Sequence, residues 1–460
     1  VMNYKYSIGL LGLLFAFAAC DKEEVTTEQE TNEVNEWIEQ TMRKHYLWND
    51  ELPEKAQLNF GADPETFFNG LLSEKDGKVL NGSHHYFSIL ERAAATKSIT
   101  DDKNSYGFDF AIADLKTKNQ GVCKIAVVTY VLPASPAEEA GLRRGDWVLG
   151  VNGELGSIQS YDCLQSGAEA SFYIADYDNE KRQFLNEHTL RIGASRKVED
   201  TPFLKDSIYS VGGKKVGYLM YNRFASDPDG YKGTAYVKQM ETLFAHFQQQ
   251  GVSEFILDLR YNGGGLLSCA QKLASFLAPK SALGSVFCEE TYNEQNKSSN
   301  RMVNLLRTTE VLAGNLNLNR IFILTGPSSA SSSELVINGL TPYLGKENVR
   351  LIGRATLGKT VGMSIFDQSD KYGWILMPVT FRTYNAEGKA DYADGFKPDV
   401  EIDEFKYDLA PFGESADPLF AQAMQEITGL RASQALRPLP FALRSYPVRT
   451  EGCLIDDLPK

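Results

Sequence analysis

Histidine is scarce in this chain. Five occur in 460 residues, at 45, 84, 85, 188 and 246, all upstream of the serine-rich stretch at 328–333. A Ser-His-Asp triad takes its base from a histidine brought beside the nucleophile, and none of these five sits at a strand-end glycine loop. There is no Gly-x-Ser-x-Gly elbow, no Ser-x-x-Lys pair, and no Walker or dinucleotide glycine loop between a strand and a helix. Cysteine is also sparse: the six, at 20, 123, 163, 269, 288 and 453, form no CxxC pair and no cluster with histidine at zinc-ligand spacing. No metal site is expected, and no cofactor. Positive charge is in deficit, with 47 Lys+Arg against 60 Asp+Glu and a formal net charge of −13. A nucleic-acid partner is therefore not expected. The apolar run at Ile8–Ala19 is shorter than the roughly 20 residues that span a bilayer.

That run has a different use. Lys5 precedes it, Ala18 and Ala19 close it, and Cys20 with the acidic Asp21-Lys-Glu-Glu24 follows. The pattern reads as a secretion signal (1–19) ending at a lipobox-like site, the alternative being an uncleaved short anchor. It resembles bacterial lipoproteins, which implies cleavage before Cys20, lipidation of its thiol, and an extracytoplasmic protein held on the bacterial envelope by that lipid. Residues 20–33 are acidic with almost nothing to bury and are expected to be a disordered tether.

Trp37, Met42 and Tyr46, then Phe67, Phe68, Leu71 and Leu72, give helical spacing and predict a small helical N-terminal domain over 34–100. A β-rich domain follows over 101–200. Within it Ser135-Pro136 starts a short helix, Gly141 stops it, and Arg143-Arg-Gly-Asp146 turns into the strand at Trp147. From 201 to 405, short apolar runs at Val216, Phe255, Ile321 and Val349 alternate with helical patterns, which predicts an α/β domain with a mostly parallel sheet. Residues 281–313 are polar and read as a mobile excursion. The segment 406–460 carries one helical run, Phe420–Ile427, and a proline-containing tail.

Chemistry concentrates in the α/β domain. The apolar run Ile321–Leu324 breaks into Thr325-Gly-Pro-Ser-Ser-Ala-Ser331-Ser-Ser-Glu334, and Leu357-Gly-Lys359-Thr follows among apolar residues. A serine hydroxyl is a poor nucleophile until a base takes its proton, and lysine becomes such a base in apolar surroundings. Ser331 and Lys359 therefore read as nucleophile and base. Ser331-x-x-Glu334 is equally a capping box, in which Ser331 only starts a helix. Gly263-Gly264-Gly265 follows a buried strand and lets backbone approach a substrate, unless it is a plain turn. Arg260 is open between organising that loop and an ordinary surface ion pair.

Four signatures occur in order: Leu257-Asp-Leu-Arg260-Tyr-Asn-Gly-Gly264-Gly265, Ser329-Ala-Ser331-Ser-Ser-Glu334, Gly358-Lys359 and Asp394-Gly-Phe-Lys-Pro398. With the run Ala134-Ser-Pro-Ala through Asn152-Gly153, the ordered set resembles the S41 family of carboxyl-terminal processing peptidases. The resemblance implies a ClpP/crotonase-like catalytic core, a circularly permuted PDZ-like domain and protein or peptide substrates. It also implies catalytic roles for Ser331 and Lys359, an oxyanion site at the amides of Gly264 and Ser332, and binding of a peptide carboxylate by Tyr106, Gly107 and Phe108. The alternative at 107–108 is the start of a core strand. Three departures stand out. Met363 occupies the place where some members carry glutamine, and Pro342 the place where others carry aspartate; the Ser331-to-Lys359 spacing, 359 − 331 = 28, is slightly long. The non-catalytic alternative is a peptide-binding lipoprotein on a peptidase scaffold.

Overall fold

A computed structural model describes residues 27–80, 82–92, 104–117, 121–155, 162–178, 180–228, 233–430, 438–439, 443–444 and 454–455. Cys20 and the signal segment lie outside the described residues.

The N-terminal unit is built on α1 (Thr27–His45) and α2 (Pro64–Asn69). Val34, Ile38 and Met42 fall on one face of α1 and are buried. The helix starts inside the stretch expected to be a disordered tether. Acidic composition outweighed, in the sequence reading, a hydrophobic stripe that begins only at residue 34, and Asn35 Nδ2 further fixes the helix by donating to the carbonyls of Phe60 and Ala62. Asp63 caps α2 by accepting the Thr66 N–H, with proline in the first turn. At the far side of this unit Asp76 is fully buried and accepts from Tyr46 Oη and from the amides of Phe87 and Ser88. That hub fixes the place of the Phe87 ring.

The second unit is a sheet of β1 (Phe108–Thr117), β2 (Gly121–Val131), β3 (Trp147–Val151), β4 (Ala170–Asp178) and β5 (Gln183–Ile192), antiparallel throughout. Between β2 and β3, Ser135 accepts the Glu138 N–H and caps α3 (Pro136–Glu139). The following turn is a close approach of backbones. Gly145 has φ +92°, and a Cβ there would lie 2.4 Å from the Leu409 carbonyl oxygen, so only glycine lets Arg144 reach the third unit.

That third unit holds two six-stranded sheets. One runs β6 (Phe203–Val211), β7 (Lys214–Tyr221), β8 (Glu254–Asp258), then β12 (Ile321–Thr325), β13 (Val349–Gly353) and β16 (Val400–Glu401). Only the first pair is antiparallel. Strand β8 is buried along its whole length, the signature of a parallel sheet covered on both faces, here by α4 (Ala235–Gln249) and later helices. The chain continues through β9 (Gly265–Leu266) and α5 (Leu267–Leu277) into a hairpin of β10 (Val286–Tyr292) and β11 (Arg301–Asn304). This hairpin replaces the expected mobile excursion at 281–313. Phe287, Cys288 and Val303 are buried, and Glu290 is buried in an ion pair with Arg301, so few core residues anchor a mostly polar segment.

Next come β12 (Ile321–Thr325), α6 (Ser332–Leu344), β13 (Val349–Gly353), β14 (Val361–Met363), β15 (Val379–Tyr384), β16 (Val400–Glu401) and α7 (Pro418–Thr428). The phenyl rings of Phe244 and Phe276 stack at 4.6 Å between α4 and α5 in the main core; burial of each such side chain contributes about 1.5–3 kcal/mol. Two short strands of the downstream segment, β17 (Leu443–Arg444) and β18 (Leu454–Ile455), join sheets formed by earlier residues. Strand β17 extends the PDZ-like sheet beside β1, and β18 lies between β9 and β14 in the second sheet of the α/β unit.

Candidate active site

The parallel sheet delivers two loops to one place. The loop after β12 carries the serines, and the loop after β8 carries Asn262 and the glycines. Three serine hydroxyls of the first loop are committed to carbonyl oxygens: Ser329 donates to Leu259, Ser332 to Gly265 and Ser333 to Asn262, at 2.7, 2.8 and 2.8 Å. Ser331 differs. It is 1 % exposed, and its Oγ has no hydrogen-bond partner among the described residues. Its backbone stands at φ 59°, ψ −111°, a region that costs a non-glycine residue about 1–3 kcal/mol and that surrounding structure must impose.

Glu334 imposes it. Its Oε2 accepts the N–H of Ser331 at 2.9 Å and the N–H of Lys359 at 2.8 Å. Its Oε1 accepts the Gly358 N–H and the Thr356 hydroxyl, both at 2.6 Å. The reach-back half of a capping box is thus present, while the Ser331 hydroxyl makes no cap bond. Burial pushes the Glu334 carboxyl up to about 7, against the pull of the Thr356 hydroxyl and the three amides. One carboxylate ties the serine loop to the lysine loop.

Lys359 is 1 % exposed. Its Nζ lies 3.4 Å from Met363 Sδ and 4.8 Å from the centre of the Phe87 ring. Met363, four residues along the chain, thus offers the amine a thioether, a weak acceptor. Pro342 lies inside α6. Phe87 was missed in the sequence; its only signal was an aromatic in the polar His84–Ser88 segment, and the contact depends on packing between distant parts of the chain.

Gly264 lies against Ser331. Its φ is +117°, and a Cβ would meet Ser331 Cβ at 2.9 Å and Ser332 N at 3.1 Å. Its N–H is donated to Asn262 Oδ1 at 2.9 Å. Asn262 holds the loop from both ends, since its carbonyl accepts the Ala330 N–H and the Ser333 hydroxyl. The Ser332 amide begins α6, where the first-turn N–H groups have no partner within the helix.

Arg260, left open between two roles, is fully buried. Its guanidinium pairs with Asp258, Glu404 and Asp417 at 2.7 Å each. Arg144, from the turn after α3, pairs with the same Glu404 oxygen at 2.7 Å and donates to Tyr261 Oη at 2.8 Å. Burial alone would raise the Glu404 pKa, but the Arg260 and Arg144 guanidiniums hold it down to about 2. The PDZ-like unit is therefore bonded to the strand-end residues that precede the glycine loop.

Tyr106, Gly107 and Phe108 lie in that PDZ-like unit and are not part of the cluster around Ser331. Tyr106 N–H donates to the Gln165 carbonyl and Gly107 N–H to Ser105 Oγ, so two of the three amides are used within the unit. Phe108 is buried at the start of β1. Among the described residues no group of three His, Cys, Asp or Glu side chains is arranged to hold a metal, and no helix is long and apolar enough to cross a membrane.

Comparison with known proteins identifies the family of the chain. Residues 215–402 match the profile of peptidase family S41, 33–89 that of the S41 N-terminal domain and 127–174 that of a PDZ domain. A CtpA-like serine protease of Staphylococcus aureus strain N315 is 28% identical over 352 residues, covering 72% of this chain and 64% of that protein. The chain thus matches less than two thirds of that relative's length. A solved S41 protease structure from Bacteroides fragilis NCTC 9343 is 34% identical, covers 85% of this chain and 97% of that one, and superposes with a TM-score of 0.74. With sequence and fold shared at that level, the chain belongs to peptidase family S41, with a PDZ domain and an S41 N-terminal domain.

Proposed function

We propose that the protein is a serine endopeptidase of the carboxyl-terminal processing type, acting on extracytoplasmic proteins from a lipid tether at Cys20. Ser331 Oγ attacks the peptide carbonyl while its proton passes to Lys359 Nζ as general base. The amides of Gly264 and Ser332 hold the oxyanion, which requires the Gly264 N–H to leave Asn262 Oδ1. The lysine then gives its proton to the leaving amine, bonding N–H as C–N breaks. Water, deprotonated by Lys359, hydrolyses the acyl ester and restores the serine hydroxyl. The PDZ domain captures an extended or carboxyl-terminal segment along β1 by strand addition.

The observation that carries the reading is Glu334, which gathers the Ser331 and Lys359 amides on one oxygen while leaving the Ser331 hydroxyl alone among its buried serine neighbours without a partner. The test is cleavage of an unstructured protein by residues 24–460. The wild type is expected to cleave it and Ser331→Ala to lose that activity; equal rates refute the proposal. The non-catalytic reading draws on the Gly264 amide being occupied by Asn262. It prevails when the wild type and Lys359→Ala both bind carboxyl-terminal peptides and neither cleaves any.

A further inference from the structure

The slot between β9 and β14, beside the loops that carry Gly264 and Lys359, is filled by the chain itself. Strand β18 pairs in parallel with β9, Leu454 opposite Gly265 and Ile455 opposite Leu266, and on its other edge Ile455 stands opposite Met363 of β14. Gly265 follows the glycine that abuts Ser331, and Met363 touches Lys359 Nζ. The strand thus occupies the slot between the two edges that flank nucleophile and amine. Ile455 is 0 % exposed there. Upstream, β17 pairs antiparallel with β1, Leu443 opposite Ala113 and Arg444 opposite Ile112, on the strand that leaves the Tyr106–Phe108 loop. The downstream segment therefore adds one strand to β1, the edge to which the peptidase reading assigns an extended peptide, and another beside the loops that carry Gly264 and Lys359.

We propose that the two short strands β17 (Leu443–Arg444) and β18 (Leu454–Ile455) are tethered occupants of peptide-binding edges, β18 holding the site closed until a substrate displaces it. What the groove ordinarily takes rests on the peptidase reading; the occupancy itself is a matter of binding. Chain polarity argues for an occupant rather than a bound substrate. A protein held by its carboxyl terminus at the PDZ loop has its PDZ-bound residues downstream of those at Ser331, whereas here the residues on β1 come first. The Gly264 amide, turned to Asn262, fits the same closed state. A tethered segment acts at an effective concentration of order millimolar, so a free peptide must exceed it in contacts or be outcompeted, and its apparent affinity falls by the open fraction. The buried Ile455 between Leu266 and Met363 further assigns the slot a preference for a branched aliphatic side chain.

The test separates binding from catalysis. A fluorescent peptide of residues 451–460, with serine in place of Cys453, is titrated by polarisation into full-length Ser331→Ala, the same chain with Ile455→Asp, and the same chain truncated after residue 452. The two altered chains are expected to bind it about tenfold or more tighter than the intact one. With Ser331 restored, Ile455→Asp and the truncation are expected to raise kcat/KM on an unstructured protein by about 5- to 50-fold, mainly through KM, and the peptide added in trans to lower it again. Equal peptide binding by all three chains, no binding by any, or an unchanged kcat/KM in a folded Ile455→Asp protein overturns the proposal. If the binding differences hold and no chain cleaves, the occupant stands and the peptidase reading falls. Should both altered chains melt below assay temperature, hydrogen exchange on intact Ser331→Ala decides. Excess unstructured protein is expected to deprotect the amides of 443–444 and 454–455, and no change refutes displacement.

Discussion

Ser331 and Lys359 donate their backbone N–H groups to one and the same oxygen, Oε2 of Glu334, at 2.9 and 2.8 Å. Two loops 28 residues apart in sequence are thereby held at a single buried atom. A shift of either loop breaks a hydrogen bond to a charged acceptor, which typically costs about 1.5–3 kcal/mol.

The protonation of that carboxyl gives the first prediction. Burial raises Glu334 from its ordinary 4.5 to about 7, so between those values the folded chain holds a proton that the unfolded chain has released. Its contribution to stability is fully present below about pH 4.5 and is lost as pH rises through about 7, a change of about 3 kcal/mol. The ionised form is the better acceptor for the amides of Ser331 and Lys359, so kcat/KM is expected to rise as pH passes through about 7, the value of the folded chain. Glu334→Gln is expected to remove the stability drift between pH 4.5 and 7, and to lower kcat/KM by about tenfold or more, because its amide NH2 meets N–H donors. Thermal melting and kcat/KM against pH, on both proteins, check it; the same drift in Glu334→Gln refutes the assignment.

A methyl group at Gly264 has nowhere to go. With φ at +117° and Ser331 Cβ 2.9 Å from the built Cβ, Gly264→Ala is expected to lose about 1–3 kcal/mol of stability and about 10²–10³-fold in kcat, with a smaller change in KM. Denaturant titration and steady-state kinetics on the one variant measure both. Wild-type kcat in a folded Gly264→Ala protein contradicts the proposed oxyanion site.

Arg144 joins the PDZ domain to Glu404, which also binds Arg260. Removing one partner of a buried ion pair typically costs about 3–5 kcal/mol. Arg144→Ala is therefore expected to destabilise by that order and to lower kcat/KM, since Tyr261, another of its partners, directly precedes Asn262, which holds Gly264. Glu404 adds an acid dependence. Its pKa is depressed from 4.5 to about 2, so its stabilising effect is full above about pH 4.5 and is lost as pH falls from there through about 2. Glu404→Gln is expected to lower stability at neutral pH and to flatten the acid limb of the melting profile; an acid limb unchanged by the substitution contradicts this account.

How much of this could be read from residues alone follows a physical line. Features encoded within a dozen residues were legible: the buried runs at Phe255 and Ile321, the Ser135-Pro136 cap, and the small-residue loop that ends in Ser331 and Glu334. Features that exist only once distant segments meet were not. Phe87 reaches Lys359 through the Asp76 hub, and Arg144 reaches Glu404 across 260 residues. Strand β18 is two residues long and carries no periodicity; only the open edges of β9 and β14 make it a strand. The start of α1 was obscured for the opposite reason, since acidic residues at its solvent face mask the stripe of Val34, Ile38 and Met42. The sequence did single out one serine from the cluster at 328–333, and the structure adds a physical ground for the choice. Ser329, Ser332 and Ser333 spend their hydroxyls on backbone carbonyls, while the hydroxyl of Ser331 is spent on none.

The central claim is that Lys359 activates the Ser331 hydroxyl. A small fluorophosphonate probe, followed by peptide mass spectrometry and by labelling kinetics, reads this without any need to know the substrate. The account predicts one adduct, on Ser331, absent in Ser331→Ala and formed about 10²-fold or more slowly in a folded Lys359→Ala protein. An adduct on another residue, or equal labelling rates with and without the lysine, would contradict it.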